Sequence, residues 1–253
     1  MTGFEAIPTT RLEIGGILNR TCSALKDNPT FFLSLAALAA LPTTILDFLG
    51  FPQNWPVNSF TAGVALLASI ISVILSLMIQ GAIAHGVFRS FQGREPSFYQ
   101  ALSYLMDKFG SLLIAALIMT VVIGLGLLLF IIPGIILSCG MIITIQACVV
   151  EGLGPMDSLS RSWGLTRGHR WRIFVLSVVW FLVYLGSFCL SGLLIGFVVG
   201  GSPSVVVAAA MVAEFGIDCL LGAGGGILAA IIYYDLRSIK EGLTIDSLAQ
   251  VFD

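Results

Sequence analysis

Charged residues are scarce in this chain. Of its 253 residues, 12 are Lys or Arg and 14 are Asp or Glu, so only 10% are charged. A water-soluble domain carries about 25% charged residues. Hydrophobic residues make up 57% of the chain, and its mean hydropathy is +1.02. The composition therefore predicts an integral membrane protein and excludes a soluble enzyme.

Side chains that carry catalysis or bind metals are also few. The chain has two histidines, His85 and His169, and an odd number of scattered cysteines. It contains no HExxH, GxSxG or GxxxxGK[ST] motif and no CxxC pair. Its net charge of -2 does not suggest the basic face of a nucleic-acid-binding protein. We expect no enzymatic activity, no metal or other cofactor and no nucleic-acid partner, and we expect both histidines to be solvated at the membrane interface.

Long apolar stretches follow one another along the chain. A helix that crosses a bilayer needs about 20 apolar residues. The stretch over 110–150 is 41 residues long and has room for two such helices, divided at Pro133-Gly134 because proline ends a helix and glycine allows a turn. Six spans are predicted: Thr30–Leu49, Thr61–Phe88, Gly110–Ile132, Ile135–Val150, Ile173–Val199 and Val205–Tyr234.

Positive charge is distributed unevenly between the connections. All 12 Lys and Arg residues fall before the first span, after the second, after the fourth or after the sixth. The other connections, near residues 50–60, 132–134 and 200–204, have none. Because cytoplasmic connections are enriched in Lys and Arg, we predict a multi-pass protein of the plasma (inner) membrane with both termini in the cytoplasm.

A short amphipathic segment precedes each pair of spans. Apolar residues recur at helical spacing in all three segments, and Pro96 and Pro155 stand just before the second and third. We therefore predict an all-α polytopic membrane protein of three transmembrane hairpins, each preceded by a cytoplasmic interfacial helix. The alternative, that any polar connection between spans looks weakly amphipathic, stays open. The chain is then a single membrane domain with an interfacial helix over 1–29, hairpin 1 over 30–88, an interfacial helix and hairpin 2 over 89–150, an interfacial helix and hairpin 3 over 151–235, and a cytoplasmic tail over 236–253.

Several short motifs occur in a characteristic order: Gly15-Gly16-Ile17-Leu18, Leu25-Lys26-Asp27-Asn28-Pro29, Leu41-Pro42, Ile132-Pro133-Gly134-Ile135, Val149-Val150-Glu151-Gly152, Thr166-Arg167-Gly168 and Tyr233-Tyr234-Asp235-Leu236-Arg237. In this order they resemble the six-span prokaryotic family that includes the membrane domain found beside glycerophosphoryl diester phosphodiesterases, and YciC-like inner-membrane proteins are similar. The resemblance covers nearly the whole chain and implies a plasma-membrane protein of unsettled biochemical role. In the fused relatives a separate soluble domain carries the catalysis, so phosphodiesterase activity is not implied here.

Acidic residues inside a predicted span need a physical reason. Glu214 and Asp218 are four apart on the sixth span, hence on one helix face. Asp218 is the deeper of the two and has no cation at its depth, so it is protonated, hydrated or bound to a cation. A polar stripe of Ser69, Ser72, Ser76 and Gln80 follows one line on the second span. Two interpretations stay open: hydrogen bonds between packed helices, or a polar interior shared with Asp218.

The third basic connection combines cations with tryptophan. Its four arginines, Arg161, Arg167, Arg170 and Arg172, accompany Trp163 and Trp171 and are candidates to contact anionic lipid headgroups. The alternative is that they only set the orientation of the chain. We expect the protein to organise or regulate membrane lipids or protein partners, with a homo-oligomer as a further option. A transporter or channel around Asp218 is the alternative function, and an enzyme that acts on lipid is the least favoured.

Overall fold

A computed structural model describes residues 12–48, 59–198 and 203–242. Every regular element in these ranges is an α-helix. The helices are α1 (Ile14–Asp27), α2 (Pro29–Phe48), α3 (Ser59–Phe91), α4 (Phe98–Asp107), α5 (Phe109–Leu129), α6 (Ile131–Met141), α7 (Thr144–Glu151), α8 (Pro155–Thr166), α9 (Arg170–Val198) and α10 (Pro203–Glu241). Most of the predicted connection near residues 50–60, part of that near 200–204, and the ends of the chain over 1–11 and 243–253 lie outside the described residues.

Within the described ranges, five apolar segments are long enough to cross a membrane. They are Phe60–Phe91, Phe109–Leu129, Ile131–Glu151, Arg170–Leu193 and Met211–Glu241. A shorter apolar helix, Pro29–Pro42, lies where the first of the six spans is predicted. The all-helical, membrane-spanning class is therefore confirmed, and the sixth crossing stays a prediction.

Three short helices lie where the amphipathic segments are predicted. Each turns one face inward: Ile17, Thr21 and Ala24 are buried on α1, and Ala101 and Leu105 on α4. On α8 the buried residues are Ser158, Ser162, Leu165 and Thr166. The spacing of three and four residues is that of a single helix face, and each short helix comes before two apolar helical segments.

The division between α5 and α6 differs from the prediction. α5 ends at Leu129, Phe130 is extended (φ −154°, ψ 128°), and α6 begins before Pro133. The prediction of a break at Pro133-Gly134 is therefore wrong by three residues. Proline is tolerated in the first turn of a helix, where its missing N–H has no intrahelical partner. Gly134 does not form the turn but allows α6 to pack closely against α5. A Cβ at this position would lie only 2.6 Å from the backbone N of Leu127 on α5.

A second interruption divides α6 from α7 near Ile142. The hydroxyls of Ser162 and Thr166 on α8 donate to the carbonyl of Gly140, at 2.8 and 3.3 Å. The indole of Trp163 occupies the space over Gly140, where a Cβ would lie 2.4 Å from Trp163 Cε3. The short helix α8 therefore docks on the interrupted span and satisfies a buried carbonyl near the end of α6.

The core lies toward one end of the bundle, around the C-terminal half of α10. Ile227 and Tyr233 on α10 are fully buried, as are Phe32 on α2 and Ile83 on α3. A Cβ on Gly226 would lie 2.9 Å from Ile83 Cδ1, so the two helices approach closely. Toward the other end the apolar side chains are exposed, up to 82% for Leu128, as suits contact with lipid hydrocarbon.

Candidate functional site

Charged side chains join α7, α8 and α10 at the end of the bundle that holds the core, here called the charged end. Arg161 Nε lies 2.9 Å from both carboxylate oxygens of Glu151, and its Nη2 donates to Glu241. Tyr233 Oη donates to Glu151 Oε1 at 2.7 Å, and Arg237 Nε donates to Glu241 Oε2 at 2.9 Å. Burial lowers the pKa of Arg161, but its hydrogen bonds with Glu151 and Glu241 outweigh this effect and hold the pKa above its ordinary value.

A second ion pair ties α1 to α10. Both guanidinium Nη atoms of Arg20 donate to the carboxylate of Asp235, with Nη1 at 2.8 Å from Oδ1. The Asp235 side chain is 1% exposed and the Arg20 side chain 15% exposed. This two-pronged geometry is the one that arginine and carboxylate groups favour, and it places the N-terminal helix at the charged end.

A cationic cluster surrounds the turn between α8 and α9. Gly168 adopts a φ of +92°, which favours glycine and allows the tight turn that leads from α8 into α9. Arg167, His169, Arg170 and Arg172 lie at this turn, and Lys240 at the end of α10 lies within electrostatic range of Arg167 and Arg170. Burial, together with the positive charges of Lys240 and Arg172, lowers the pKa of His169 below its ordinary value. These five residues are called the cationic cluster below.

The four arginines predicted to contact lipid have different surroundings. Arg161 is held by Glu151 and Glu241, which separates it from the other three. Arg170 stacks over the ring of Trp163 at 3.7 Å, and its buried Nε has no hydrogen-bond partner among the described residues. Arg172 Nη1 donates to the Leu12 carbonyl at 3.1 Å, and Arg167 is exposed.

An apolar groove begins beside the cationic cluster. It encloses about 310 Å³ and is lined by Ile132, Ile135, Ile136, Cys139, Arg170, Trp171 and Phe174. From Cys139 to Ile132 it follows α6 for about 10 Å, compared with about 15 Å for the hydrocarbon of one leaflet. Trp171 is 74% exposed at its edge. The guanidinium group of Arg170 therefore lies at one end of a groove that is otherwise lined by apolar side chains.

A crevice inside the spans reaches Asp218. It has a volume of about 620 Å³ between α2, α3, α9 and α10. It extends from Asp218 to Ala229, about 16 Å along α10. Tyr184 Oη lies 3.3 Å from Asp218 Oδ1 and donates to it. We call this space the Asp218 crevice.

The structure brings some of the predicted polar residues together in the Asp218 crevice. Ser72, Ser76 and Gln80 line it with Asp218, and the hydroxyl of Ser72 is buried without a hydrogen-bond partner among the described residues. Ser69 and Glu214 are exposed and do not line it. Sequence reasoning missed the polar atoms that α9 contributes; the signal was the helical spacing of Ser177, Trp180 and Tyr184 on one face.

Metal-binding groups were also sought in the part of the chain that the structure describes. No group of three or more His, Cys, Asp or Glu side chains there is placed to hold a metal ion. The arrangement supplies hydrogen bonds, positive charge and apolar surface.

The fold and these sites define an all-helical, multi-pass membrane protein. Residues 12–234 match the family described as Domain of unknown function (DUF7847), and the chain therefore belongs to that family. It is similar to the UPF0259 membrane protein plu2479 of Photorhabdus laumondii, with 28% identity over 162 residues. The aligned region is 53% of this chain and 63% of that curated relative, so the chain spans less than two thirds of the relative's length. No solved structure matches.

These comparisons confirm the predicted membrane family only in its general form. The similarity is to membrane proteins of uncharacterised role. The more specific resemblance to the phosphodiesterase-associated membrane domain and to YciC-like proteins stays a prediction.

Proposed function

We propose that the protein is a non-enzymatic, six-span protein of the plasma membrane that binds anionic phospholipid at its cytoplasmic face and thereby organises or regulates membrane lipids or protein partners. We also propose a relationship to the membrane domain found beside glycerophosphoryl diester phosphodiesterases. The order in which the short sequence motifs occur supports this relationship. We further propose a second copy of the chain as a protein partner.

The Arg20–Asp235 pair supports six spans in place of five. It places α1 at the charged end, whereas α3 begins at the opposite end and reaches the charged end only near Arg89. The segment that contains α2 must therefore pass from one end of the bundle to the other. With 20 residues, α2 is about 30 Å long, which is the thickness of the hydrocarbon core. The positive connections then all lie on one side, which the positive-inside rule assigns to the cytoplasm.

The position of Arg170 carries the lipid proposal. Its side chain lies at the end of the apolar groove, within the cationic cluster and over the Trp163 ring. An anionic headgroup on the cluster would place an acyl chain in the groove. Each basic residue near an anionic surface contributes about 1 kcal/mol, so three arginines amount to roughly 100-fold in affinity.

Lipid binding to the purified chain tests this proposal. The protein is prepared in an uncharged detergent, and native mass spectrometry measures the affinity for phosphatidylglycerol and for phosphatidylcholine. Replacing Arg167, Arg170 and Arg172 together by Gln should weaken phosphatidylglycerol binding by roughly 100-fold and phosphatidylcholine binding by less than about threefold.

A matched control keeps this test specific. Lys26 is an exposed cation on α1, outside the cluster, and Lys26→Gln should leave the preference for phosphatidylglycerol unchanged. If the triple variant, with its melting temperature intact, keeps the wild-type preference, the cationic cluster is not the lipid site.

The Asp218 crevice favours transport of a small solute or ion as a second candidate function. A carboxyl group, three serine hydroxyls and a glutamine amide line one space of about 620 Å³ within the spans. Ionisable groups at such depth commonly mark ion or substrate pathways. Tyr184 holds one carboxyl oxygen of Asp218 by a hydrogen bond.

Proton or cation flux into proteoliposomes tests the transport candidate. Asp218→Asn preserves shape and an oxygen acceptor for Tyr184 but cannot ionise, so coupled flux should disappear while the fold remains. Glu214→Gln, an exposed residue four positions away that does not line the crevice, serves as the matched control. Wild-type protein without measurable flux, or Asp218→Asn with unchanged flux, argues against transport at this site.

A further inference from the structure

A second basic site lies at the charged end, apart from the cationic cluster. It is a cavity of about 470 Å³ where the end of α3 meets α4 and α7. Sites for small molecules commonly have volumes of about 300–1,000 Å³. The cavity is lined by His85, Phe88, Arg89, Gln92, Arg94, Tyr104, Lys108, Val149, Val150, Glu151 and Gly152. We call it the basic cavity.

Positive charge exceeds negative charge on the walls of the basic cavity. Arg89, Arg94 and Lys108 line it, and Glu151 is the one acid among the described residues that do so. The Glu151 carboxylate already accepts hydrogen bonds from Arg161 and Tyr233, at 2.9 and 2.7 Å. Because Arg161 does not line the cavity and offsets that negative charge from outside it, an anion inside would meet a net positive wall.

The hydrogen-bond donors in the cavity are suited to oxygen acceptors. Arg89 Nη1 donates to Gln100, whereas its buried Nε has no hydrogen-bond partner among the described residues. Lys108 Nζ lies 3.8 Å from the position of a Cβ on Gly152. Arginine presents a planar fork to oxyanions and lysine presents a compact charge, and phosphate recognition commonly uses both.

The wall of the cavity is held in place by aromatic contacts. The ring of His85 stacks on that of Tyr104, with 4.8 Å between their centroids. Tyr104 Oη donates to the carbonyl of Val149 at 2.5 Å, which ties α4 to α7. The prediction that His85 is merely solvated misses this contact, because Tyr104 lies 19 positions further along the chain. Because these side chains are already fixed, ligand binding would lose less conformational entropy than at a flexible wall.

We propose that the basic cavity binds a phosphate group, carried by either a phospholipid headgroup or a soluble phosphate ester, through Arg89 and Lys108. The inference rests on no residue of the cationic cluster. It adds a second, distinct anion site to the charged end.

Two arms of one experiment distinguish the sources of the phosphate. In the soluble arm, isothermal titration calorimetry in uncharged detergent measures binding of glycerol 3-phosphate and inorganic phosphate, with chloride at matched ionic strength as the control anion. In the lipid arm, native mass spectrometry measures binding of phosphatidic acid and phosphatidylglycerol. Both arms use protein with Arg167, Arg170 and Arg172 replaced by Gln, so that the cationic cluster does not contribute to the binding that is measured. On this background Arg89→Gln and Lys108→Gln should each weaken binding about tenfold or more in whichever arm shows it.

Controls separate this site from the cationic cluster and from misfolding. Lys26→Gln, at an exposed cation that lines neither site, should leave phosphate binding at the basic cavity unchanged, and the charge-preserving Arg89→Lys should keep most of it. A failure of the lipid proposal at the cluster leaves the soluble arm intact, so the two proposals can fail separately. Binding in neither arm overturns the inference, as does binding that chloride displaces equally well or that survives Arg89→Gln/Lys108→Gln.

Discussion

The Arg20–Asp235 pair should contribute strongly to stability. Arg20→Ala leaves the carboxylate of Asp235, which is 1% exposed, without its guanidinium partner inside the packed core. Removing one member of a buried ion pair destabilises a protein by about 3–5 kcal/mol, because the remaining charge is buried without compensation. That corresponds to roughly 100-fold or more in the folded-to-unfolded ratio.

Thermal unfolding in a neutral detergent measures this effect. For a chain of this length each kcal/mol lowers the melting temperature by about 2–4 °C, so Arg20→Ala should lower it by roughly 6–20 °C. The matched control is Arg167→Ala, an exposed arginine whose removal should change stability by less than about 0.5 kcal/mol.

A double variant separates the ion pair from the side-chain volume. Arg20→Met with Asp235→Leu removes both charges and keeps apolar contacts, so it should recover most of the lost stability. If Arg20→Ala melts within about 2 °C of the wild type, Asp235 is not held by Arg20 and the placement of α1 at the charged end loses its support.

Three further predictions follow from the described contacts. Gly140→Ala should destabilise the protein by about 1–3 kcal/mol in thermal unfolding, since its Cβ would meet Trp163 at 2.4 Å, whereas Gly164→Ala, with open space around it, should not; equal effects would contradict the docking of α8 on α6. Asp218→Asn should keep the wild-type melting temperature, because Asn still accepts from Tyr184, and a loss of several degrees would show that the charge is structural. The His169 pKa, measured by NMR titration, should lie below its ordinary value in neutral detergent and rise when phosphatidylglycerol binds; no rise would place the lipid elsewhere. Because the pKa of His169 is lower in the folded chain than in the unfolded chain, the unfolded chain binds this proton more readily. The free energy of unfolding should therefore fall as the pH drops from the ordinary pKa of histidine toward the lowered one.

The class of the protein and the positions of the long helices follow from local properties of the sequence. Apolar length predicts the spans, and the spacing of residues such as Ile17 and Thr21 predicts the short helices. The break at Phe130 was placed three residues late, because Pro133 is as compatible with a first helical turn as with a helix end.

The contacts that build the candidate sites depend on residues far apart in sequence. Arg20 and Asp235 are 215 positions apart, and Arg161 and Glu241 are 80 apart. Local spacing therefore grouped Arg161 with the predicted lipid contacts, whereas in the structure its hydrogen-bond partners are Glu151 on α7 and Glu241 on α10. The sequence predicted more of the Asp218 crevice, because Ser72, Ser76 and Gln80 follow one helix face. The contact of Tyr184 with Asp218 could not be predicted in this way, because it depends on the packing of α9 against α10.

The proposed lipid site at the cationic cluster requires the charged end to face the cytoplasm, and single-cysteine accessibility tests that orientation most directly. On a cysteine-free background, Lys26→Cys, Gln92→Cys and Ser160→Cys mark the charged end, and Asn54→Cys and Ser202→Cys mark the uncharged connections. A membrane-impermeant maleimide applied to intact cells should label positions 54 and 202, and should label positions 26, 92 and 160 only after permeabilisation. Labelling of 92 and 160 in intact cells would invert the orientation, and labelling of 26 alone would remove the sixth crossing.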